Sequence, residues 1–251
     1  MLRKLAYSVL ELLTFGKGVS RTINGIKIKF PAKWSRYYEP DYEADNYFFL
    51  KNYAKPGMHI IDIGAHLGLF SVSSSQLTGS TGKIICFEPT PGTYEVLKKT
   101  LALNQCDNVF PLQQAVGAAK GESVFFVSST AACNSNSLVE NVSEGKAEKY
   151  NVTITTIDDI VNAFQLHPDL IKIDAEGAEL DVLRGGIKTL NVMKPTLILG
   201  LHPRFIKQKG DSLESIWEIL MAAHYKIEME GREVSKEAFC NNELLFDVHC
   251  R

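Results

Sequence analysis

The strongest constraint on this chain is an apolar run that ends in an acid and then turns through two spaced glycines: His59-Ile-Ile-Asp62-Ile-Gly64-Ala-His66-Leu-Gly68-Leu-Phe70. One helical stretch later, a second apolar run, Lys83-Ile-Ile-Cys-Phe-Glu88, also ends in an acid. Strand, glycine turn, helix and a strand closing on a carboxylate are the parts that hold a nucleoside. The turn lets backbone approach the ligand, and the carboxylate accepts hydrogen bonds from ribose hydroxyls. Two parts of a dinucleotide site are missing, the Gly-x-Gly-x-x-Gly spacing and any phosphate chemistry. The expected cofactor is therefore S-adenosylmethionine, which has a ribose and an amino acid but no pyrophosphate.

The pattern around this unit alternates strand with helix. Ile26 to Phe30 alternates at period two after the Asn24-Gly25 turn and reads as a half-exposed strand. The later part of Tyr37 to Tyr53 reads as a helix ending before Pro56-Gly57. Leu67, Phe70 and Leu77 mark a helix that stops at Gly79 and Gly82, and Thr90-Pro91 starts another with a capping hydroxyl and a first-turn proline. A third strand is expected near Val109 to Ala115, with further extended segments at Ser123 to Val127 and Val152 to Ile157. Leu170 to Asp174 and Thr196 to Leu201 are buried strands, separated by one helix striped by Leu180, Leu183, Ile187 and Leu190. Leu213, Ile216, Trp217 and Leu220 mark a last helix, and strands near Tyr225 to Met229 and Glu243 to Val248 close the chain. Continuous apolar strands separated by helices imply an α/β fold with a mostly parallel central sheet covered on both faces. Ligands in such sheets sit beyond the strand C-termini, so Asp62, Glu88, Asp174 and His202 should converge on one crevice. The polar segment Ser128 to Gly145 is expected to cover the acceptor site.

Bulk properties exclude more than they identify. With 251 residues the chain suits one large domain with a small addition, divided here as an N-terminal extension over 1–55 and a cofactor domain over 56–251. A net charge of −2 supplies no basic field for nucleic acid, so no nucleic-acid partner is expected. The five cysteines (Cys86, Cys106, Cys133, Cys240, Cys250) are scattered without a Cys-x-x-Cys pair, which argues against zinc and disulfides and fits the cytoplasm. Met1 to Leu13 carries Arg3 and Lys4 before Leu5, Val9, Leu12 and Leu13, with Glu11 interrupting the run. It reads as an amphipathic helix packed on the domain or on a partner subunit of a homo-oligomer. Weak membrane-surface contact through residues 1–15 is the alternative.

Each candidate residue has an ordinary explanation beside its chemical one. Gly64 and Gly68 serve a plain turn or a cofactor loop, and His66 between them reads as packing beside the cofactor rather than as a base. The acid of Glu88-Pro89 suits a ribose, or only the dipole of the following helix. Asp174, Glu176 and Glu179 stand where a helix dipole favours acids. They also suit hydroxyl binding, a general base, or an oxygen-liganded divalent cation. Asp158 and Asp159 read as helix-capping acids. His202 follows the last central strand on the crevice rim, where a near-neutral pKa suits proton abstraction from a hydroxyl. Cofactor contacts are therefore assigned to Asp62, Gly64, His66, Gly68, Glu88, Pro89 and Asp174. The reacting end is assigned to His202, Asp174 and Glu176, with no metal.

Taken together, Ile61-Asp62-Ile-Gly64-Ala-His66-Leu-Gly68, Phe87-Glu88-Pro89, Thr156-Ile-Asp158-Asp159 and Leu170-Ile-Lys172-Ile-Asp174-Ala-Glu176-Gly177-Ala-Glu179 resemble the FkbM family of S-adenosylmethionine-dependent methyltransferases. Val182-Leu-Arg-Gly185-Gly also fits, and the resemblance runs from about Pro56 to His202. It implies a seven-stranded Rossmann-like methyltransferase fold and methyl transfer to a hydroxyl oxygen of a small molecule or carbohydrate. Two positions depart from the family pattern: His66 stands where asparagine is more usual, and Gly200 where an acid is common before the histidine. Two readings compete with an O-methyltransferase. One is a nicotinamide-dependent oxidoreductase, the other a non-catalytic binding protein on the same fold.

Overall fold

The computed structural model describes residues 16–127 and 148–251, together with Thr14. The expected helix over 1–13 and the polar segment over 128–145 lie outside the described residues. The chain opens with an antiparallel hairpin of β1 (Val19–Ile23) and β2 (Ile26–Phe30). Its turn residues, Asn24 and Gly25, both take positive φ, the geometry that matches the twist of a two-residue hairpin. A single 3-10 turn and α1 (Ala44–Tyr53) follow. Then come β3 (His59–Ile63), α2 (Leu69–Thr78), β4 (Lys83–Phe87), α3 (Pro91–Leu103) and β5 (Val109–Leu112). A satellite group follows, of β6 (Ala115–Val116), β7 (Gly121–Val127) and β8 (Glu148–Thr155). The second half runs α4 (Ile157–Phe164), β9 (Leu170–Asp174), α5 (Glu179–Arg184), α6 (Ile187–Val192), β10 (Thr196–Leu201), α7 (Pro203–Gln208) and α8 (Leu213–Ala222). It ends with β11 (Ile227–Met229), β12 (Arg232–Glu233), α9 (Lys236–Cys240) and β13 (Phe246–Cys250).

Eight strands form the main sheet in the order β12-β11-β13-β10-β9-β3-β4-β5. From β10 to β5 the neighbours are parallel, and β13 runs antiparallel beside β10. Successive residues of one strand feed opposite faces. Ile61, Ile63, Ile171 and Ile173 join α4 to α9 in one core, whereas Ile60, Ile84, Leu170 and Ile198 join the hairpin and α1 to α3 in the other. Both faces are dry, which is why these strands read as unbroken apolar runs. The order reverses between β3 and β9: the chain builds outward through β4 and β5, then returns to the other side of β3. A crevice opens at such a switch point, beyond the strand C-termini.

Three local expectations differ in the structure. The segment expected as one strand over 109–115 splits. Pro111 sits in β5 at the sheet edge, and Ala115–Val116 leaves to pair with β8. The single helix expected over 180–190 is two, broken at Gly185-Gly186. A β-carbon on Gly185 would stand 2.0 Å from the Gly117 carbonyl oxygen, so the chain passes another backbone too closely for a side chain. Asp158 holds the restart, accepting from the Thr189 N–H at 2.8 Å and its hydroxyl at 2.6 Å, so it caps α6 rather than its own helix. The capping of α4 falls to Thr156, which accepts from the Asp159 N–H at 3.1 Å. Thr90, expected as a hydroxyl cap, makes no side-chain cap bond to α3.

Gly64 takes a φ of +81°, and a β-carbon there would lie 1.9 Å from the Asp174 carbonyl oxygen. Gly79 has a φ of +66° with open space around the corresponding point. Gly79→Ala is therefore expected to cost about 1–2 kcal/mol for the positive-φ, extended-ψ backbone alone. Gly64→Ala, which adds a backbone collision, should cost ~3 kcal/mol or more. Urea denaturation of the two variants checks this, and equal costs would refute the close-approach argument.

Candidate functional site

A cavity of about 350 Å³ opens at the switch point. Its floor is the C-terminal ends of β3, β4, β9 and β10, through Gly64, Glu88, Asp174 and Gly200. The loop from β3 to α2 curls because Gly64, His66 and Gly68 all take left-handed conformations. Histidine tolerates this region better than most residues, as asparagine does, so His66 fits the position without a glycine. The Gly64 and Ala65 N–H groups both donate to the Phe87 carbonyl, at 3.0 and 2.8 Å, locking the loop to the end of β4.

Two backbone N–H groups aim Glu88. The His66 N–H donates to its Oε2 at 3.1 Å, and the Thr90 N–H donates to its Oε1 at 2.9 Å. A carboxylate oxygen accepts more than one hydrogen bond, so both keep accepting capacity on the cavity side. Burial pushes this carboxyl up to about 7, against the pull of the Thr90 and His66 donors. His66 also lines the cavity, and burial lowers its pKa to about 4, so the ring is neutral. Tyr38 Oη lies 2.7 Å from His66 Nδ1, and a neutral ring accepts the phenol proton there.

The opposite end is acidic. Lys172 is buried, lies across from Asp62 in the strand register, and donates to Asp174 Oδ2 at 3.1 Å. Asp174 stays below its usual range: burial opposes this, and Lys172 and His202 outweigh it. His202 faces Asp174 Oδ1 at 3.7 Å through Nε2, and its Nδ1 lies 2.9 Å from Glu179 Oε1. Glu179 is itself fully buried and takes the Gly177 N–H on both oxygens at 3.0 Å. Burial draws the His202 pKa down, but the Glu179 hydrogen bond and the surrounding carboxylates raise it above the ordinary value.

The residues singled out from the sequence divide in two. Gly64, His66, Glu88, Pro89, Asp174, Glu176 and His202 line the cavity. Asp62 and Gly68 stand outside that lining. Asp62 is fully buried behind the loop and accepts from the Ser71 hydroxyl at 2.5 Å, while burial raises its pKa. Gly68 begins α2, where a β-carbon would strike Leu97 at 2.7 Å. His202 meets Glu179 at Nδ1 and faces Asp174 with Nε2. Sequence reasoning missed Tyr38, Tyr42, Glu43 and Tyr47 before β3, and Leu245 and Asp247 at β13, all of them in the wall. Asp247 carried a signal, a charge between Phe246 and Val248 in an apolar strand. The tyrosines carried none beyond an aromatic-rich composition. Among the described residues, no group of three or more His, Cys, Asp or Glu is arranged to hold a metal ion.

Comparison with known proteins agrees with this geometry. The family described as Methyltransferase FkbM domain matches residues 62–227. A methyltransferase of Sordaria araneosa, sdnD, is 30% identical over 156 residues, covering 50% of this chain and 59% of its own. The hexuronic acid methyltransferase AglP of Haloferax volcanii is 27% identical over 149 residues, covering 57% of each. The chain thus spans less than two thirds of the length of either relative. A crystal structure of Methyltransferase FkbM from Methylobacillus flagellatus superposes with a TM-score of 0.52 at 13% identity, covering 99% of this chain and 60% of that one, and so shares the fold.

The raised Glu88 pKa has a sign that can be measured. Its folded value of about 7 exceeds the ordinary 4.5, so the folded protein holds this proton more tightly and loses stability as the pH rises between the two. Glu88→Gln removes that dependence. Melting temperatures at pH 5 and pH 8 should move in the variant's favour at the higher pH, and a pH-independent difference would contradict the burial argument.

Proposed function

From its membership of the FkbM methyltransferase family, to which this chain belongs, we propose that the protein moves a methyl group from S-adenosylmethionine to a hydroxyl oxygen of a small-molecule or carbohydrate acceptor. One observation carries the reading. Glu88, oriented by two backbone donors, stands at one end of the cavity, and the Asp174, His202 and Glu179 cluster stands at the other. A ribose-binding acid and a proton acceptor at opposite ends match the two reactants of a methyl transfer. S-adenosylmethionine would supply an electrophilic methyl on its sulfonium. Glu88 would accept from its ribose hydroxyls, with Gly64, His66 and Pro89 around it, and the acidic end would favour its positive charge. The acceptor reading draws support from the Haloferax relative, whose name gives hexuronic acid as its substrate. A cytoplasmic setting is supported by the scattered cysteines, and none of the described helices is long and apolar enough to cross a membrane.

The chain's own part in the reaction is alignment and proton removal. With Nδ1–H donating to Glu179, the imidazole presents Nε2 to the cavity beside Asp174. A neutral His202 would take the acceptor proton at Nε2, and bound S-adenosylmethionine would supply the methyl to that oxygen, its sulfur keeping the carbon–sulfur electron pair as a neutral thioether. Glu179 then stabilises the imidazolium. Asp174 orients the hydroxyl.

Two measurements test this. In calorimetric titration with S-adenosylhomocysteine, Glu88→Ala should lose roughly tenfold or more in affinity, the scale of a charge-assisted hydrogen bond. Unchanged affinity in the folded variant would remove the ribose role. Label transfer from methyl-labelled S-adenosylmethionine to a panel of hydroxylated acceptors should fall ~10²-fold in His202→Ala, with homocysteine-product affinity nearly intact. Because Glu179, Asp174 and Lys172 face the ring and its pKa is raised, the acid limb of the rate profile should lie above 6.5. Glu179→Gln should move it down. A limb that ignores Glu179 would put the base elsewhere.

A further inference from the structure

Gly200 and Asp247 lie directly opposite each other across the β10–β13 pairing. A β-carbon on Gly200 would stand 3.2 Å from Asp247 Oδ1 and 3.5 Å from Asp174 Oδ1. Two carboxylates from different strands therefore close over one small space above a glycine, and all three residues line the cavity. A side chain at position 200 would fill that space.

Asp247 also stands near a buried polar pair. Asn46, itself buried on α1, pulls the Asp247 pKa down, and its Oδ1 lies 3.0 Å from His249 Nε2. Burial holds His249 neutral, with a pKa of about 4. Its Nε2–H donates to Asn46 Oδ1, which fixes the orientation of the amide.

We propose that Asp247 is a second carboxylate at the point of methyl transfer, where it accepts a hydrogen bond from the acceptor and, with Asp174, brackets the hydroxyl over Gly200. The proposal rests on the methyltransferase reading above. It accounts for glycine at position 200: the acid is delivered from the neighbouring strand, and the space it serves must stay open. Burial and the nearby Glu43 and Asp174 raise Asp247 to about 6, while Asn46 and Lys172 pull it down. At pH 8 it is ionised.

The test needs no known acceptor. Sinefungin replaces the methylated sulfur with a carbon bearing an ammonium, so it puts a donor where the methyl would stand. S-adenosylhomocysteine has no group there. Calorimetry at pH 8 gives the ratio of the two affinities, with melting curves to confirm folding. Asp247→Asn should leave S-adenosylhomocysteine binding unchanged and lower the sinefungin preference roughly tenfold, the scale of losing one charge-assisted hydrogen bond. Asp247→Glu should retain most of the preference, and Asp247→Ser serves as a second removal if the asparagine variant does not fold. An unchanged ratio in a folded removal variant overturns the proposal while leaving the cofactor site intact. If wild-type protein binds neither ligand, the methyltransferase reading itself fails, and this assignment fails with it.

Discussion

The backbone of Asp174 occupies the point where residue 64 would otherwise carry a side chain. Much else depends on that approach. It brings the turn after β3 against the end of β9, the two strands between which the sheet changes direction. The turn can then donate its Gly64 and Ala65 N–H groups to Phe87, which ties in the end of β4. Three strand ends meet within one hydrogen-bonded patch, and Glu88 and Asp174 face one space. A side chain at position 64 would separate β3 from β9 and open the floor of the cavity.

Such a concentration of carboxylates needs an answering charge, and Lys172 supplies it from inside the sheet. It sits opposite Asp62 and bonds Asp174, so one ammonium serves an acid on either side. Ion pairs with so little water contact contribute little net stability, because desolvation offsets attraction. Their value lies elsewhere. Removing one member leaves the others uncompensated, so the group behaves as a unit and keeps Asp174 ionised. Glu179 plays a similar part for His202, one turn further along the chain.

The central sheet was legible because it is dry on both sides. Lys83 to Phe87, Leu170 to Asp174 and Thr196 to Leu201 are strands with the bounds their apolar runs suggest. The glycine loop and the acids at strand ends were legible for a related reason, since backbone geometry and position dictate those residue types locally. Elements held by distant contacts were not. The Gly185-Gly186 break looks like a helix interior until the Gly117 carbonyl is seen beside it. Ala115 and Val116 continue an extended pattern yet pair in another sheet. Asp247 reaches the cavity only through its pairing with Gly200, and the tyrosines only through the packing of the segment before β3. No spacing rule reports contacts of that range.

The wall missed in this way has a common origin. Tyr38, Tyr42, Glu43 and Tyr47 precede residue 62, and Leu245 and Asp247 follow residue 227, so all six fall outside the stretch that matches the family. The floor, from Gly64 to His202, falls inside it. The segment before β3 meets β13 where Asn46 bonds His249 and the Phe49 ring stacks on that imidazole. An architecture divided in this way is modular. The segments outside the matched stretch set the wall of the cavity, and the stretch inside it sets the floor.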